Sequence, residues 1–153
     1  MKKILIIVFI LFSSNTIAHM DHYKKFNKIE MDILRNGEKI GYNYYFFTRR
    51  GNQTTVTNQI KFSVKLLGAT IFQVEGYGEE KYLKDQLISY NSKTLQNDKK
   101  KFVNLNFDKD ENKFKIKGSS YTGEASADIV IGNWWSHKIL QANKQISPVS
   151  GSI

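Results

Sequence analysis

Cysteine is absent, proline occurs once, at Pro148, and histidine three times, at His19, His22 and His137. Without cysteine there is no disulfide scaffold, thiol nucleophile, cysteine-based zinc site or iron–sulfur centre. With almost no proline, long strands can run uninterrupted. No Gly-x-Ser-x-Gly nucleophile elbow is present. Arginine is scarce as well: Arg35, Arg49 and Arg50 are the only three, and the other basic residues are lysines. The planar guanidinium fork that favours bidentate phosphate binding is therefore nearly missing. A length of 153 residues allows one domain. With 41% apolar and 24% charged residues, neither a disordered chain nor a multi-pass membrane protein fits.

The N-terminus reads as an export signal. Lys2 and Lys3 precede an apolar run from Ile4 to Phe12, followed by Ser13, Ser14 and Asn15. That run is too short to span a bilayer, which needs about 20 residues. Thr16-Ile17-Ala18 offers small residues at the −3 and −1 positions of a cleavage site. The expected organisation is thus a signal peptide over 1–18 and a single domain over 19–153, periplasmic or extracellular. No cysteine near the cut supports a lipoprotein anchor. Cleavage removes two of the 23 basic residues and none of the 14 acidic ones, so the formal charge of +9 falls only by two. An exported basic protein seldom meets nucleic acid, but it does meet anionic membrane surfaces and glycans.

From Gln53 to Leu67 the pattern has period two. Val56, Ile60, Phe62, Val64 and Leu66 fall on one face and Thr55, Thr57, Gln59, Lys61, Ser63 and Lys65 on the other, which predicts a long half-buried strand. Before it, Ile40, Tyr42, Tyr44 and Phe46 share one face of a strand. Earlier still, Ile29, Met31 and Ile33 oppose Lys28, Glu30 and Asp32. Asn36-Gly37 marks a tight hairpin between these two, because both residues accept positive φ. Arg50-Gly51-Asn52 and Gly68-Ala69 punctuate the next turns. Further strands are expected at Gln86 to Leu95, Phe102 to Phe107 and Lys113 to Lys117. Asp108 to Asn112 has the spacing of a calcium-loop start, but Lys113 replaces the needed glycine and Ser119 the bidentate glutamate, so it reads as a solvated turn.

Helical period is missing before Asn133, which is placed to cap a short helix with the face Trp135, Ile139, Ala142 and Ile146. Adjacent Trp134 and Trp135 cannot share a face, so one should pack inward and the other lie near a rim, pocket or partner. The plainer reading, favoured because large aromatics dominate core burial, is that both simply plug the open end of a sheet. The single apolar face of a meander has to be covered by closing or folding the sheet. The expected fold class is all-β: an antiparallel meander forming a barrel or half-barrel, with a short C-terminal helix. The final Ser147 to Ile153 reads as a turn leading into another strand, so the chain is expected to be C-terminally incomplete.

Asn36-Gly37-Glu38-Lys39-Ile40-Gly41, the alternating strand ending in Leu66-Leu67, the strand through Gly76-Tyr77, and Asn133-Trp134 with Ser147-Pro148 and Gly151 together resemble a family of exported bacterial proteins known only as a domain of unknown function. The resemblance covers nearly all of the mature chain. It implies a fold similar to the periplasmic half-barrels of the lipoprotein-carrier kind, with further strands beyond this C-terminus. It implies no catalytic residues.

Several chemistries can be weighed residue by residue. A free N-terminal His19 could chelate copper(II) through its amine and ring, with His22 and His137 as further ligands. Glu75, Glu79 and Glu80 could supply a carboxylate pair, with Glu75 and Glu79 on one strand face. Neither forms a complete centre, so an enzyme is not expected and no cofactor is called for. Binding remains: a shell lined by Tyr42, Tyr44, Phe46, Phe62, Val64, Phe72, Trp134 and Trp135 would suit an apolar or amphipathic ligand such as a lipid. The alternative is an assembly protein that accepts a partner strand at a sheet edge.

Overall fold

The structure, a computed structural model, describes residues 25–153. Eight strands follow one another: β1 (Lys28–Arg35), β2 (Glu38–Arg50), β3 (Gln53–Leu66), β4 (Ala69–Leu83), β5 (Gln86–Gln96), β6 (Lys99–Asp108), β7 (Lys113–Gly118) and β8 (Thr122–Ser126). They form one sheet in the order β1 to β8, each antiparallel to its sequence neighbour. After them come β9 (Val130–Ile131), the helix α1 (Lys138–Gln141) and β10 (Gln145–Ile146). β9 and β10 pair in parallel, forming a separate two-strand unit.

The all-β meander is as the periodicity predicts, but it is open. Among the described residues β1 and β8 do not pair, so the closed-barrel alternative is not adopted. The reason lies in residues 127–153, which supply the cover that closure would otherwise provide. Ile129, Ile131 and Ile146 pack on Tyr90, Val103, Leu105, Phe114, Ile116 and Ala125 in one dry cluster. Trp135 packs with Tyr45, Phe47, Val56 and Tyr82 in a second, and Ile29 and Met31 of β1 lean on it. Each fully buried side chain of this size adds about 1.5–3 kcal/mol of hydrophobic stabilisation. The segment crosses β7 so closely that a Cβ on Gly118 would lie 2.4 Å from the Ser150 carbonyl oxygen.

The expected helix is corrected. α1 spans only Lys138–Gln141, its N-cap position is held by His137, and Asn133 lies outside it. Asn133 is committed elsewhere, to a carboxylate across the core. Ile146 belongs to β10 rather than to a helix face. The turn after β3 is shifted too: Leu67 and Gly68 take its positive φ values, 49° and 82°, and Ala69 opens β4.

Candidate functional site

Paired residues on antiparallel strands share a face, so the register sorts the candidates. Tyr45 faces Asn58 and Asn43 faces Ile60, which places Asn43, Tyr45 and Phe47 on the inner face of the sheet. Tyr42, Tyr44 and Phe46 therefore point the other way, opposite Lys61, Gln59 and Thr57. This corrects the expected lining: these three rings line no interior. Tyr42 and Tyr44 stack at 4.5 Å on the outer face, and the Lys28 ammonium sits 5.0 Å from the Tyr44 ring and 5.3 Å from that of Phe46. Both parities of β2 carry rings between Tyr42 and Phe47, so alternation alone could not choose between them.

Phe62, Val64 and Phe72 do lie on the inner face, with Phe62 and Phe72 5.8 Å apart. Phe62 and Phe72 join Ile60 and Val74 as one wall of a cavity of about 370 Å³. Val64 continues the same face beyond it. Trp134, Pro148 and Val149 of the C-terminal segment form the opposite wall. Trp134 is 73% exposed while Trp135 is 2% exposed, so the pair divides between rim and core.

Polar groups hold the two walls apart. Tyr45 Oη accepts from the Trp134 backbone N–H at 3.2 Å and from Asn43 Nδ2 at 3.0 Å. Asn58 Nδ2 in turn donates to Asn43 Oδ1. At the other side, Tyr90 Oη and Ser92 Oγ both donate to the Pro148 carbonyl, at 3.0 and 2.7 Å. Burial pushes the Tyr45 phenol up to about 12 and raises that of Tyr90 further, so both stay uncharged hydroxyls, Tyr45 accepting and Tyr90 donating. Thr94, Gln96 and Lys101 line the cavity further toward the β5–β6 turn.

Glu80 fixes the segment that carries Trp134. Its Oε1 accepts from Asn133 Nδ2 at 2.6 Å and from Trp135 Nε1 at 2.8 Å, and its Oε2 from the Tyr82 hydroxyl. Complete burial raises its pKa above the usual carboxylate range, against the lowering effect of those three donors. Tyr82 is raised in turn by its own burial and by the carboxylate beside it. With both oxygens occupied, Glu80 serves as an anchor. Every buried side-chain nitrogen or oxygen among the described residues has a partner.

The other chemical candidates are dispersed. Glu75 and Glu79 share the outer face, as their spacing predicts, and pair with Lys61 at 2.9 Å and Lys81 at 3.1 Å, whereas Glu80 faces inward. His19, His22 and the predicted signal peptide lie outside the described residues. His137 begins α1, and no group of three metal-ligating side chains occurs among the described residues. At Asp108, the carboxylate accepts from the backbone of Asp110 and Glu111, which makes the acidic stretch a turn. Sequence reasoning missed Asn43, Tyr45, Asn58, Tyr90 and Ser92. A signal was available in Asn58, a lone polar residue between Val56 and Ile60 on an otherwise apolar face.

A wider trough of about 860 Å³ runs over the outer face past Tyr42, Tyr77 and Phe102. No second layer of the described chain roofs it, so the inner cavity, enclosed from two sides, is the better site.

Fold and cavity together define an open antiparallel meander roofed on one face by its own C-terminal segment. A family model described as a domain of unknown function, DUF6134, matches residues 31–153, and the chain belongs to that family. No curated protein and no solved structure matches it.

Proposed function

We propose that this protein is exported to the bacterial cell envelope and there binds an apolar or amphipathic molecule such as a lipid, without catalysing a reaction. The observation that carries the reading is the two-walled cavity. Its volume of about 370 Å³ falls among those of small-molecule sites, with rings on both walls and a few polar groups between them. Phe62 and Phe72 would meet the apolar part of the ligand, and Ser92, Thr94 and Lys101 its polar part. The N-terminal charged start, short apolar run and small-residue cleavage site support export. The edge-binding alternative draws less support. Among the described residues β1 has no partner on its outer edge, but a register shift between Ile33 and Leu34 and the charges of Lys28, Glu30 and Asp32 guard it.

Native mass spectrometry of protein purified from an exporting host tests this. A bound, extractable mass of lipid size is expected, and Phe62→Ser should remove it while costing about 1 kcal/mol of stability, since that ring is only half-buried. An unliganded wild type, or a folded Phe62→Ser variant that keeps the bound mass, would overturn the assignment.

A further inference from the structure

Consecutive strands of a meander turn alternately at its two ends, so the β1–β2, β3–β4 and β5–β6 turns share one end of the sheet. In the first and third, asparagine takes the left-handed position: Asn36 at φ 52° and Asn97 at φ 51°. Asparagine tolerates that region. The middle turn places Leu67 there, at φ 49°. Leucine has no local hydrogen bond to offset the strain, and this one is 100% exposed. The position is therefore unfavourable both in conformation and in hydration, with no packing inside the described chain to compensate.

Leu66 and Ile71 are more than half exposed beside it, and Leu34 is equally exposed before the β1–β2 turn. Beyond Phe62 and Gln73, β3 and β4 pair only with each other. The strand from Ser63 to Leu66 is thus bonded to β4 alone, with no ladder to β2 beside it. Arg35, Lys65, Lys99 and Lys100 surround this end, none with an ion-pair partner among the described residues. The acids here are Glu38 and Asp98, together with Asp32 and Glu75, which Lys39 and Lys61 hold at 2.7 and 2.9 Å. At the opposite end, Asp85, Asp108, Asp110 and Glu111 balance the basic residues and the turns are polar.

We propose that the Leu67 end docks on an anionic lipid bilayer, the hairpin tip entering the head-group region and the lysines meeting its charge. A second copy of the chain would bring these like charges together across a symmetric interface. The proposal rests on the reading of the cavity as an amphiphile site and deepens it. Phe62 and Phe72 run from the cavity wall into the tip, giving one apolar strip from the bilayer to the cavity.

Co-sedimentation with phosphatidylglycerol-containing vesicles, against pure phosphatidylcholine vesicles, tests it. Leu67→Asn supplies the residue that this backbone favours, so it should melt no lower than wild type while binding anionic vesicles at least about tenfold more weakly. Lys99→Glu with Lys100→Glu should also weaken binding, and high salt should do the same. Unchanged binding by Leu67→Asn, or equal binding to neutral vesicles, would overturn the proposal. A wild type that carries a ligand but fails to sediment overturns docking alone. One that sediments yet carries no ligand upholds docking and overturns the cavity reading.

Discussion

The two halves of the inner face are covered by the same C-terminal segment in different ways. Over β6 and β7, side chain meets side chain: Val103, Leu105, Phe114 and Ile116 against Ile129, Ile131 and Ile146, with nothing polar between. Over β2 to β5 the segment is held by hydrogen bonds, the Trp134 amide on Tyr45 and the Pro148 carbonyl on Tyr90 and Ser92. Apolar contacts have no preferred length beyond touching, so they close until no gap remains. A hydrogen bond fixes a separation set by the reach of the side chain that makes it, whether that side chain donates or accepts. The tyrosines and the serine act as spacers of this kind, and the cavity lies where they replace apolar contact.

Trp135→Ala tests the comparison hardest, because Trp135 is the one large ring by which the segment is buried over the hydrogen-bonded half, against Phe47, Tyr82 and Glu80. A loss of about 3–5 kcal/mol in chemical denaturation is expected. A loss under about 1 kcal/mol would show that the dry half alone holds the segment in place.

Glu80→Gln sharpens the comparison by pH. Because burial raises the folded pKa of Glu80 above 4.5, the carboxyl stabilises the fold fully in acid, and that contribution is lost as pH rises through the folded value. Glutamine keeps an oxygen for Asn133 and Trp135 but does not ionise. The melting temperature of the variant relative to wild type should therefore climb as pH rises above 4.5. A constant difference between pH 4 and 8 would contradict the assignment of Glu80 as a buried, destabilised carboxylate.

The smallest effect is expected outside both halves. Glu124 on β8 bonds Lys113 at 3.1 Å and Lys115 at 2.6 Å, and these lysines hold its pKa below 4.5. All three are solvated, so Glu124→Gln should move the melting temperature by no more than about two degrees at neutral pH. A larger drop would mean that the exposed edge contributes to stability as the covered face does.

What the sequence disclosed followed from local pattern. β3 and the Asn36-Gly37 hairpin were legible because alternation and turn chemistry are short-range, and Trp134 and Trp135, on a turn rather than a strand, still face different surroundings. β2 was not, because rings at every position from Tyr42 to Phe47 except Asn43 leave its inward face to be set by the register with β3. Helix capping by Asn133 failed for a long-range reason: Glu80, 53 positions away, takes that side chain. Glu80 itself looked like one of three surface acids. Its parity with Val74 and Tyr82, rather than with Glu75 and Glu79, is the clue that separates it.

The linear strand order also implies a sequence of events in time. Each strand of the sheet needs only its chain neighbour, so pairing can advance one hairpin after another with short loops to close. Seating of the C-terminal segment cannot, since Pro148 reaches Tyr90 across 58 positions. Until that segment arrives, Glu80 sits ionised in water and the inner face is bare. The cavity is thereby the last part of the molecule to come into being and, held by a few hydrogen bonds rather than a dry interface, the first to open.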